Sequence, residues 1–373
     1  MSRARDFADL AGSADAGGIS GKNLLINGAM QIHQRGNQTA SHGTSTYFLD
    51  RWNEYQNGTD VAANLQQSTV VPSGQGFSNS LLIDCTTADS SVASTELVIF
   101  RQIIEGQNLQ QLAYNTSSAK SVTLSFWVRS TKTGTYVCEL FHISSGSGVN
   151  RTQSHQYTIS SADTWEYKTI TFSGDTAAIM DNDSNASLYV QWCLQAGSDY
   201  SGGGSTNSTW ATDTGSATTK RYVGQVNFFD STSNNFYLTG AQLEVGEQAT
   251  PFEHRSFGDE LLRCQRYFVN YPDTSSGTNH VFTGRGNGTT QAASVMMPMP
   301  VVMRAKPTIS QISQLAAIGP SGYNAANNVT PTVTGTPDFE SNLALSFTGL
   351  TGLTDNRLAG VYIYNPFSLS AEL

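Results

Sequence analysis

The chain has 373 residues, a formal net charge of −9 and only 13% charged side chains. Two or three folding units are expected for this length. The negative charge argues against nucleic acid or an anionic membrane surface as the main partner, because both recognise a basic field.

Residues 1–22 are predicted to form a separate small segment. Phe7, Ala8, Leu10 and Ala11 would share the apolar side of a short helix that ends at Gly12. A single short helix is unstable alone, so this segment either docks on a partner or in an oligomer axis, or it is a frayed tail. The sequence after the first five residues is too polar for a signal-peptide core, and no apolar run is long enough to span a membrane.

From residue 23 onward the pattern indicates β-strands. In Ser121–Ser130 one face carries apolar residues and the other carries Thr123, Ser125, Trp127 and Arg129. The remaining strands expected before residue 240 are Tyr136–His142, Trp165–Phe172, Ser187–Leu194, Asn227–Phe229 and Asn235–Leu238. Many short strands separated by Gly, Ser and Asn turns are typical of a β-sandwich. A jelly roll is the arrangement we expect at this size.

The longest irregular segment is predicted from Ala196 to Lys220, and it contains Tyr200 and Trp210. Loops of this length are uncommon in compact domains and often have a function. Two interpretations remain open, a binding loop and a flexible surface insertion.

One domain is predicted to end close to residue 257. Leu238–Val245 would be its closing strand, and Pro251 favours an extended exit from it. Ser256 and Asp259 have the spacing of a helix capping box, so a short helix is expected over Asp259–Phe268.

A small C-terminal β-domain is predicted after this helix. Ala293–Met303 is apolar but interrupted by prolines, which favours an edge strand or a covered extended segment. Leu343–Thr348 and Ala359–Tyr364 would complete the sheet. The predicted domains are therefore residues 1–22, 23–257 and 258–373.

The residue types of common catalytic and metal sites do not occur at the required spacings. Cys85, Cys138, Cys193 and Cys264 are far apart and are expected to be free, buried thiols. Asp181–Asn185 resembles half of a calcium loop, but Ala186 stands where that loop needs glycine, so a turn is favoured. No nucleophile elbow, Walker loop or HExxH motif is present, and we expect no enzymatic activity.

Several segments together carry a family resemblance. They are Asn23–Gly28 (NLLING), Gln34–Gly36 (QRG), Asp50–Trp52 (DRW), Thr123–Val128 (TLSFWV), Trp165–Phe172 (WEYKTITF), Gly224–Asn227 (GQVN), Leu238–Phe252 (LTGAQLEVGEQATPF), Cys264–Phe268 (CQRYF) and Pro300–Pro307 (PVVMRAKP). The chain resembles phage virion proteins, namely tail-fibre, tail-tip and head-fibre subunits built on a jelly roll like that of carbohydrate-binding modules.

This resemblance implies a homotrimeric virion fibre or fibre-like spike. Residues 1–22 would attach it to other virion proteins, and the remainder would contact a host surface glycan or receptor. An alternative is a purely structural head-fibre or decoration protein of the capsid. A second alternative, a glycan-degrading tailspike enzyme, is less favoured because such enzymes generally use a β-helix, and no repeat of that kind is found in the sequence.

The matching motifs are architectural and bring no catalytic residues with them. Sugar sites usually pair an aromatic platform with polar groups. Trp127 and Arg129 are therefore glycan candidates, although Trp127 could instead contact a neighbouring subunit, and Tyr200 and Trp210 are further candidates. Trp52, Trp165 and Trp192 are assigned to packing. Jelly rolls of this kind sometimes hold structural calcium near their terminal strands, which makes Asp50 and Glu244 candidate ligands; no other cofactor is expected.

Overall fold

The computed structural model describes residues 21–41, 45–144, 149–202, 207–213, 221–271, 280–286, 291–310, 312–319, 322–329, 332–333, 342–348, 358–363 and 367–373. The helix predicted before Gly12 lies outside these ranges. The chain forms two compact units that divide between Phe257 and Gly258. We call the first the jelly-roll unit and the second the C-terminal unit.

The jelly-roll unit consists of two antiparallel β-sheets. Sheet A has the order β1-β4-β5-β13-β7-β10, with β1 Gln38–Ser41, β4 Ala62–Ser68, β5 Ser80–Thr87, β7 Val122–Ser130, β10 Glu166–Phe172 and β13 Asn235–Val245. Sheet B has the order β12-β9-β8-β11-β6-β3-β2, with β2 Ser45–Tyr47, β3 Asn53–Asn57, β6 Leu97–Glu105, β8 Gly134–His142, β9 Arg151–Ile159, β11 Ala186–Ala196 and β12 Ala211–Thr212. The chain crosses between the sheets at each step from β5 to β8 and again from β9 to β11, which gives the predicted jelly-roll sandwich.

The main core lies between the two sheets, as the alternation in β7 predicts. Val122, Leu124, Phe126 and Val128 are fully buried on the inner face. At the centre, the ring of Trp192 stacks on Phe100 with centroids 5.1 Å apart and lies 5.5 Å from Trp52. The packing assignment of Trp52 and Trp192 is confirmed, because neither side chain is exposed.

Two predictions for the jelly-roll unit are wrong. Asn227–Phe229 is not a strand, and a 3-10 helix covers Phe228–Asp230. The Asn227 side chain accepts a hydrogen bond from the Phe229 amide at 2.9 Å, which favours a helical turn over an extended chain. The segment from Ala196 to Lys220 is also not wholly irregular, since it contains helix α1, Ser198–Ser201, and strand β12.

The first described residues and the exit of the jelly-roll unit are held together by hydrogen bonds. The Leu24 amide donates to the Leu243 carbonyl at 2.8 Å, and the Asn23 side chain accepts from the Leu243 amide at 3.0 Å. The Glu253 carboxylate accepts from the Asn23 amide at 2.7 Å, and Arg255 donates to the Leu25 carbonyl at 3.0 Å. We call these contacts the terminal clamp.

The C-terminal unit begins with helix α2 and is otherwise built from strands. Helix α2 is Phe257–Gln265. A three-stranded sheet has the order β14-β23-β17, with β14 Phe268–Tyr271, β17 Thr308–Ile309 and β23 Phe367–Ser370. A seven-stranded sheet has the order β19-β18-β22-β15-β16-β21-β20, with β15 His280–Gly286, β16 Gln291–Pro298, β18 Ile312–Gly319, β19 Gly322–Val329, β20 Thr332–Val333, β21 Asn342–Thr348 and β22 Leu358–Ile363.

Details of the C-terminal unit differ from the sequence-based expectations. The predicted helix exists, but Phe268 belongs to β14 rather than to the end of α2. Strand β16 is not an edge strand, because it pairs with β15 on one side and with β21 on the other. Its proline, Pro298, is the last residue of the strand, where a missing amide donor interrupts little of the ladder.

The four cysteines are free and buried, which confirms their prediction. Burial raises the pKa of the Cys138 and Cys193 thiols well above its ordinary value. Both therefore behave as small apolar side chains. Among the residues that the structure describes, no helix has the length and apolar character needed to cross a bilayer.

Candidate functional site

A row of side chains crosses the face of sheet A that points away from the main core. Trp127 of β7 lies opposite Thr239 of β13 on one side and Tyr167 of β10 on the other. The rings of Trp127 and Tyr167 are tilted, with centroids 5.3 Å apart. Trp127 is half-buried, and 45% of Tyr167 is exposed. An aromatic pair is thus presented to solvent on a rigid sheet.

A cleft of about 370 Å³ opens beside this pair. A second aromatic group lines it: the rings of Phe77 and Phe252 lie 5.1 Å apart, and those of Phe252 and His254 lie 4.9 Å apart. The other residues lining the cleft are Gln75, Ser125, Gly240 and Pro251. Asp, Glu, Lys and Arg are absent from the described lining, so the cleft is apolar with a few uncharged polar groups and one imidazole.

A β-bulge shapes the floor of the cleft. The register between β13 and β7 shifts between Thr239 and Gln242, and Gly240 has a φ of +62°. A Cβ atom on Gly240 would lie 2.5 Å from Cζ of Phe77. Glycine is therefore required both for the left-handed backbone and for the close approach of the Phe77 ring.

Replacing Gly240 with alanine is expected to destabilise the jelly-roll unit by about 2 kcal/mol, since strain and overpacking add. The Phe77 ring must also move, which reshapes the cleft. Urea unfolding followed by tryptophan fluorescence measures the first effect. Gly36→Ala is the matched control, because Gly36 has a similar positive φ, +70°, but none of the described atoms lies within 4 Å of an added Cβ. Equal losses from the two variants would contradict the contact with Phe77.

Arg129 lies on the same face as Trp127 but does not line the cleft. It forms a salt bridge with Asp163 at 2.9 Å, and its guanidinium lies over the Tyr237 ring at 5.1 Å. Burial raises the pKa of Tyr237, and the nearby Arg129 opposes that shift. Trp165 packs against Tyr237 with centroids 6.2 Å apart. Arg129, Tyr237 and Trp165 thus form a packed group on the same sheet as the Trp127–Tyr167 pair.

The structure does not bring Tyr200 and Trp210 to the cleft. The Trp210 indole donates to the Ser173 carbonyl at 2.6 Å and packs edge-on against Tyr114, in contact with the main core. Tyr200 lies in α1, and its hydroxyl accepts a hydrogen bond from Asn57 at 3.4 Å. Both residues therefore lie apart from the cleft, and their role in glycan binding stays a prediction.

The candidate calcium ligands have partners within the protein. The carboxylate of Asp50 accepts hydrogen bonds from the amide and side chain of Gln34, at 2.7 and 2.6 Å. That of Glu244 accepts from Gln242 and from the amide and hydroxyl of Thr250. Within the described ranges, no group of three or more His, Cys, Asp or Glu side chains could hold a metal ion. Asp50 and Glu244 thus do not form a shared cation site with other such residues there.

Sequence reasoning missed most of the residues that surround Trp127. Tyr167 could have been found, because it alternates outward in Trp165–Phe172, which the sequence predicts to be a strand. Phe77, Phe252 and His254 carry no such signal, since they lie on irregular segments far from β7 in sequence. Their position beside Trp127 depends on the bulge at Gly240 and on the exit path after Pro251.

No protein-family model and no curated protein matches the sequence. Solved structures with low similarity include the enzymatically active domain of tailspike protein 4 from bacteriophage CBA120. The two chains are 13% identical, with a TM-score of 0.32, over 60% of this chain and 21% of that one. This chain therefore spans about a fifth of the tailspike chain.

Two further similar structures contain carbohydrate-binding modules. One holds the CBM22-1 and GH10 modules of Clostridium thermocellum endo-1,4-beta-D-xylanase 10B, complexed with xylohexaose; identity is 10% and the TM-score 0.31, over 61% of this chain and 29% of that one. The other is the CBM22-1 xylan-binding domain of Paenibacillus barcinonensis Xyn10C, with 9% identity and a TM-score of 0.27, over 62% and 99%. TM-scores of this size support no assignment of function.

Proposed function

We propose that the protein is a non-enzymatic glycan-binding protein, and that the cleft beside Trp127 takes a neutral sugar. One observation carries this proposal: Trp127 and Tyr167 present adjacent rings to solvent at an open cleft. The apolar faces of sugar rings pack on such aromatic platforms, and polar groups beside the platform read the hydroxyls. Gln75, Ser125 and His254 are the polar groups available in this cleft.

The lack of Lys and Arg in the described lining of the cleft favours a neutral glycan over an acidic one. A carboxylated sugar would need a cation in the cleft to replace its lost hydration. Arg129, which lies on the same face of sheet A, is already paired with Asp163.

Glycan hydrolysis normally uses two carboxylates that flank the scissile bond, and the described lining contains none. The absence of carboxylates from the described lining supports binding without cleavage.

We further propose that the protein acts as part of a phage virion fibre, as a homotrimer attached through residues 1–22. The resemblance carried by the sequence motifs supports this role, and the weakly charged surface is compatible with it. The protein should then be present in purified particles and have a native mass three times that of the chain. A monomeric mass, or absence from the particles, would contradict the fibre role while leaving glycan binding open.

Trp127→Ala and Tyr167→Ala are each expected to weaken binding of neutral oligosaccharides by at least about tenfold. The loss comes from removing the stacking surface, and both side chains are exposed enough that folding should survive. A glycan array would identify a ligand of the wild-type protein, and calorimetry would then give the affinities of the variants.

Phe257→Ala is the control for these variants. Phe257 is an exposed aromatic residue that does not line the cleft, so its removal should leave the affinity unchanged. If the wild type binds no neutral glycan, or if both cleft variants bind as well as the control, the proposed function is wrong. Release of reducing ends from host polysaccharide by purified protein would contradict the non-enzymatic assignment separately.

A further inference from the structure

The outer face of sheet B carries a second group of aromatic residues, arranged around Arg101 of β6. Within β6, Phe100 faces the main core, whereas Arg101 lies on the opposite face together with Ile99. The guanidinium carbon of Arg101 lies 4.7 Å from the ring centre of Tyr55 in β3 and 5.0 Å from that of Tyr189 in β11. Phe141 of β8 meets Tyr189 edge-on at 6.0 Å.

The hydrogen bonds of Arg101 leave its terminal nitrogens available. Its Nε donates to the Asn53 side chain at 3.1 Å, which fixes the plane of the guanidinium. No ion pair between Arg101 and a carboxylate occurs among the residues that the structure describes. Arg101 is half-buried, and its two Nη atoms are not completely enclosed by the described residues, so both keep some access to solvent.

This arrangement is unusual in the jelly-roll unit. Arg129, Arg151 and Arg221 are all paired with a carboxylate. Burial lowers the pKa of Arg101 from its ordinary value, which is the direction expected for a cation partly withdrawn from water without an anion beside it. Aromatic rings flank the guanidinium and Asn53 orients it, so a planar anion could approach its Nη edge at little cost in ordering.

We propose that Arg101, with Tyr55 and Tyr189, forms a second binding site that takes the carboxylate of an acidic sugar. The guanidinium fork matches a carboxylate with two parallel hydrogen bonds. The half-buried ring of Tyr189 lies beside the fork and provides apolar area for a sugar ring, whereas the guanidinium of Arg221 already lies over the Phe141 ring at 4.6 Å. This site lies on the other sheet from the cleft and on different residues. It therefore does not depend on the function proposed for Trp127.

Binding of matched acidic and neutral sugars tests the proposal. The probes are sialyllactose against lactose, and trigalacturonate against its methyl ester, each titrated into the full chain by calorimetry. The acidic member of at least one pair should bind, and its neutral counterpart should not bind at this site. Arg101→Gln should weaken acidic binding by about tenfold to a hundredfold. Arg101→Lys should give an intermediate loss, because it keeps the charge but not the fork.

Arg263→Gln is the matched control, since it removes the same charge from an exposed position in the C-terminal unit. Acidic binding measured in a Trp127→Ala background reports this site separately from the cleft, because that variant lacks the stacking surface of the cleft. The proposal is wrong if neither acidic probe binds, or if Arg101→Lys binds as the wild type does. If acetate binds as tightly as the acidic sugars, the sugar ring makes no contribution and the glycan assignment is wrong. Should Arg101→Gln fail to fold, the Lys variant and acetate competition on the wild type decide the outcome.

Discussion

Replacing Glu54 with glutamine is expected to stabilise the jelly-roll unit, and the gain should grow as the pH rises. Glu54 is fully buried in β3, and its Oε1 accepts a hydrogen bond from the Gln56 side chain at 2.8 Å. Its other oxygen, Oε2, has no hydrogen-bond partner among the described residues. Burial raises the pKa of this carboxyl to about 8, and the single bond from Gln56 opposes that shift only in part.

The direction of this pH dependence is set by proton binding. Between pH 4.5 and about 8 the folded protein keeps the Glu54 proton and the unfolded chain loses it. The contribution of protonated Glu54 to the free energy of unfolding is therefore fully present below the pKa of Glu54 in the unfolded chain. It is lost as the pH rises from that value to the pKa in the folded protein. The loss is about 3 kcal/mol at pH 7 and on the order of 5 kcal/mol above the folded pKa. Glutamine carries no charge, so the Glu54→Gln variant should not show this loss of stability as the pH rises.

Urea unfolding at several pH values between about 5 and 9 measures this difference. All five tryptophans lie in the jelly-roll unit, so their fluorescence reports its unfolding without interference from the C-terminal unit. Glu247→Gln is the control: Glu247 is exposed, and its replacement should change little at any pH. A constant difference between wild type and Glu54→Gln across the range would show that Glu54 is not buried as a neutral acid.

Replacing Glu139 with glutamine is expected to destabilise the jelly-roll unit, although the Glu139 carboxylate is buried as fully as that of Glu54. Its oxygens accept hydrogen bonds from Arg221 at 2.6 and 2.7 Å, from Gln191 at 3.0 Å, and from the hydroxyls of Thr152 and Tyr222. Replacing Glu139 with glutamine would leave the Arg221 guanidinium in a largely buried position without an anion. The expected loss is about 3–5 kcal/mol in the free energy of unfolding.

A double-mutant cycle separates the ion pair from the packing around it. Glu139→Gln with Arg221→Gln should lose less than the sum of the two single variants, because the double variant leaves no uncompensated charge. The same unfolding measurement applies. Arg129→Gln is the comparison, since Arg129 and Asp163 form an ion pair that is partly exposed and worth at most about 1 kcal/mol. Additive losses at Glu139 and Arg221 would contradict the coupling.

Local patterns predicted the strands well where one face is apolar and the other polar. The alternation in β7 correctly placed four residues in the core and Trp127 outside it. By contrast, β6 is buried along almost all of its length, so its sequence has no alternation to read. The 3-10 helix at Phe228 depends on one side-chain cap, which strand propensity does not anticipate.

The candidate sites could be predicted only in part, because they form across strands that are distant in sequence. Trp127 was identifiable from its own strand, but its contact with Tyr167 requires the register between β7 and β10. The environment of Arg101 requires β3, β6 and β11 to lie side by side, which no local pattern indicates. The surroundings of Trp210 could not be predicted for the same reason, because Tyr114 and Ser173, which contact it, come from other parts of the chain.

The terminal clamp has a mechanical consequence. The amides and carbonyls of residues 21–25 are bonded directly to residues 243–255, so the two ends of the jelly-roll unit leave it at neighbouring points. A pulling force applied through both ends would pass across this short connection and would not stretch the sandwich between them. The hydrogen bonds of the clamp would share the load in parallel. Trp127 and Arg101 would therefore keep their geometry under tension until the clamp itself broke.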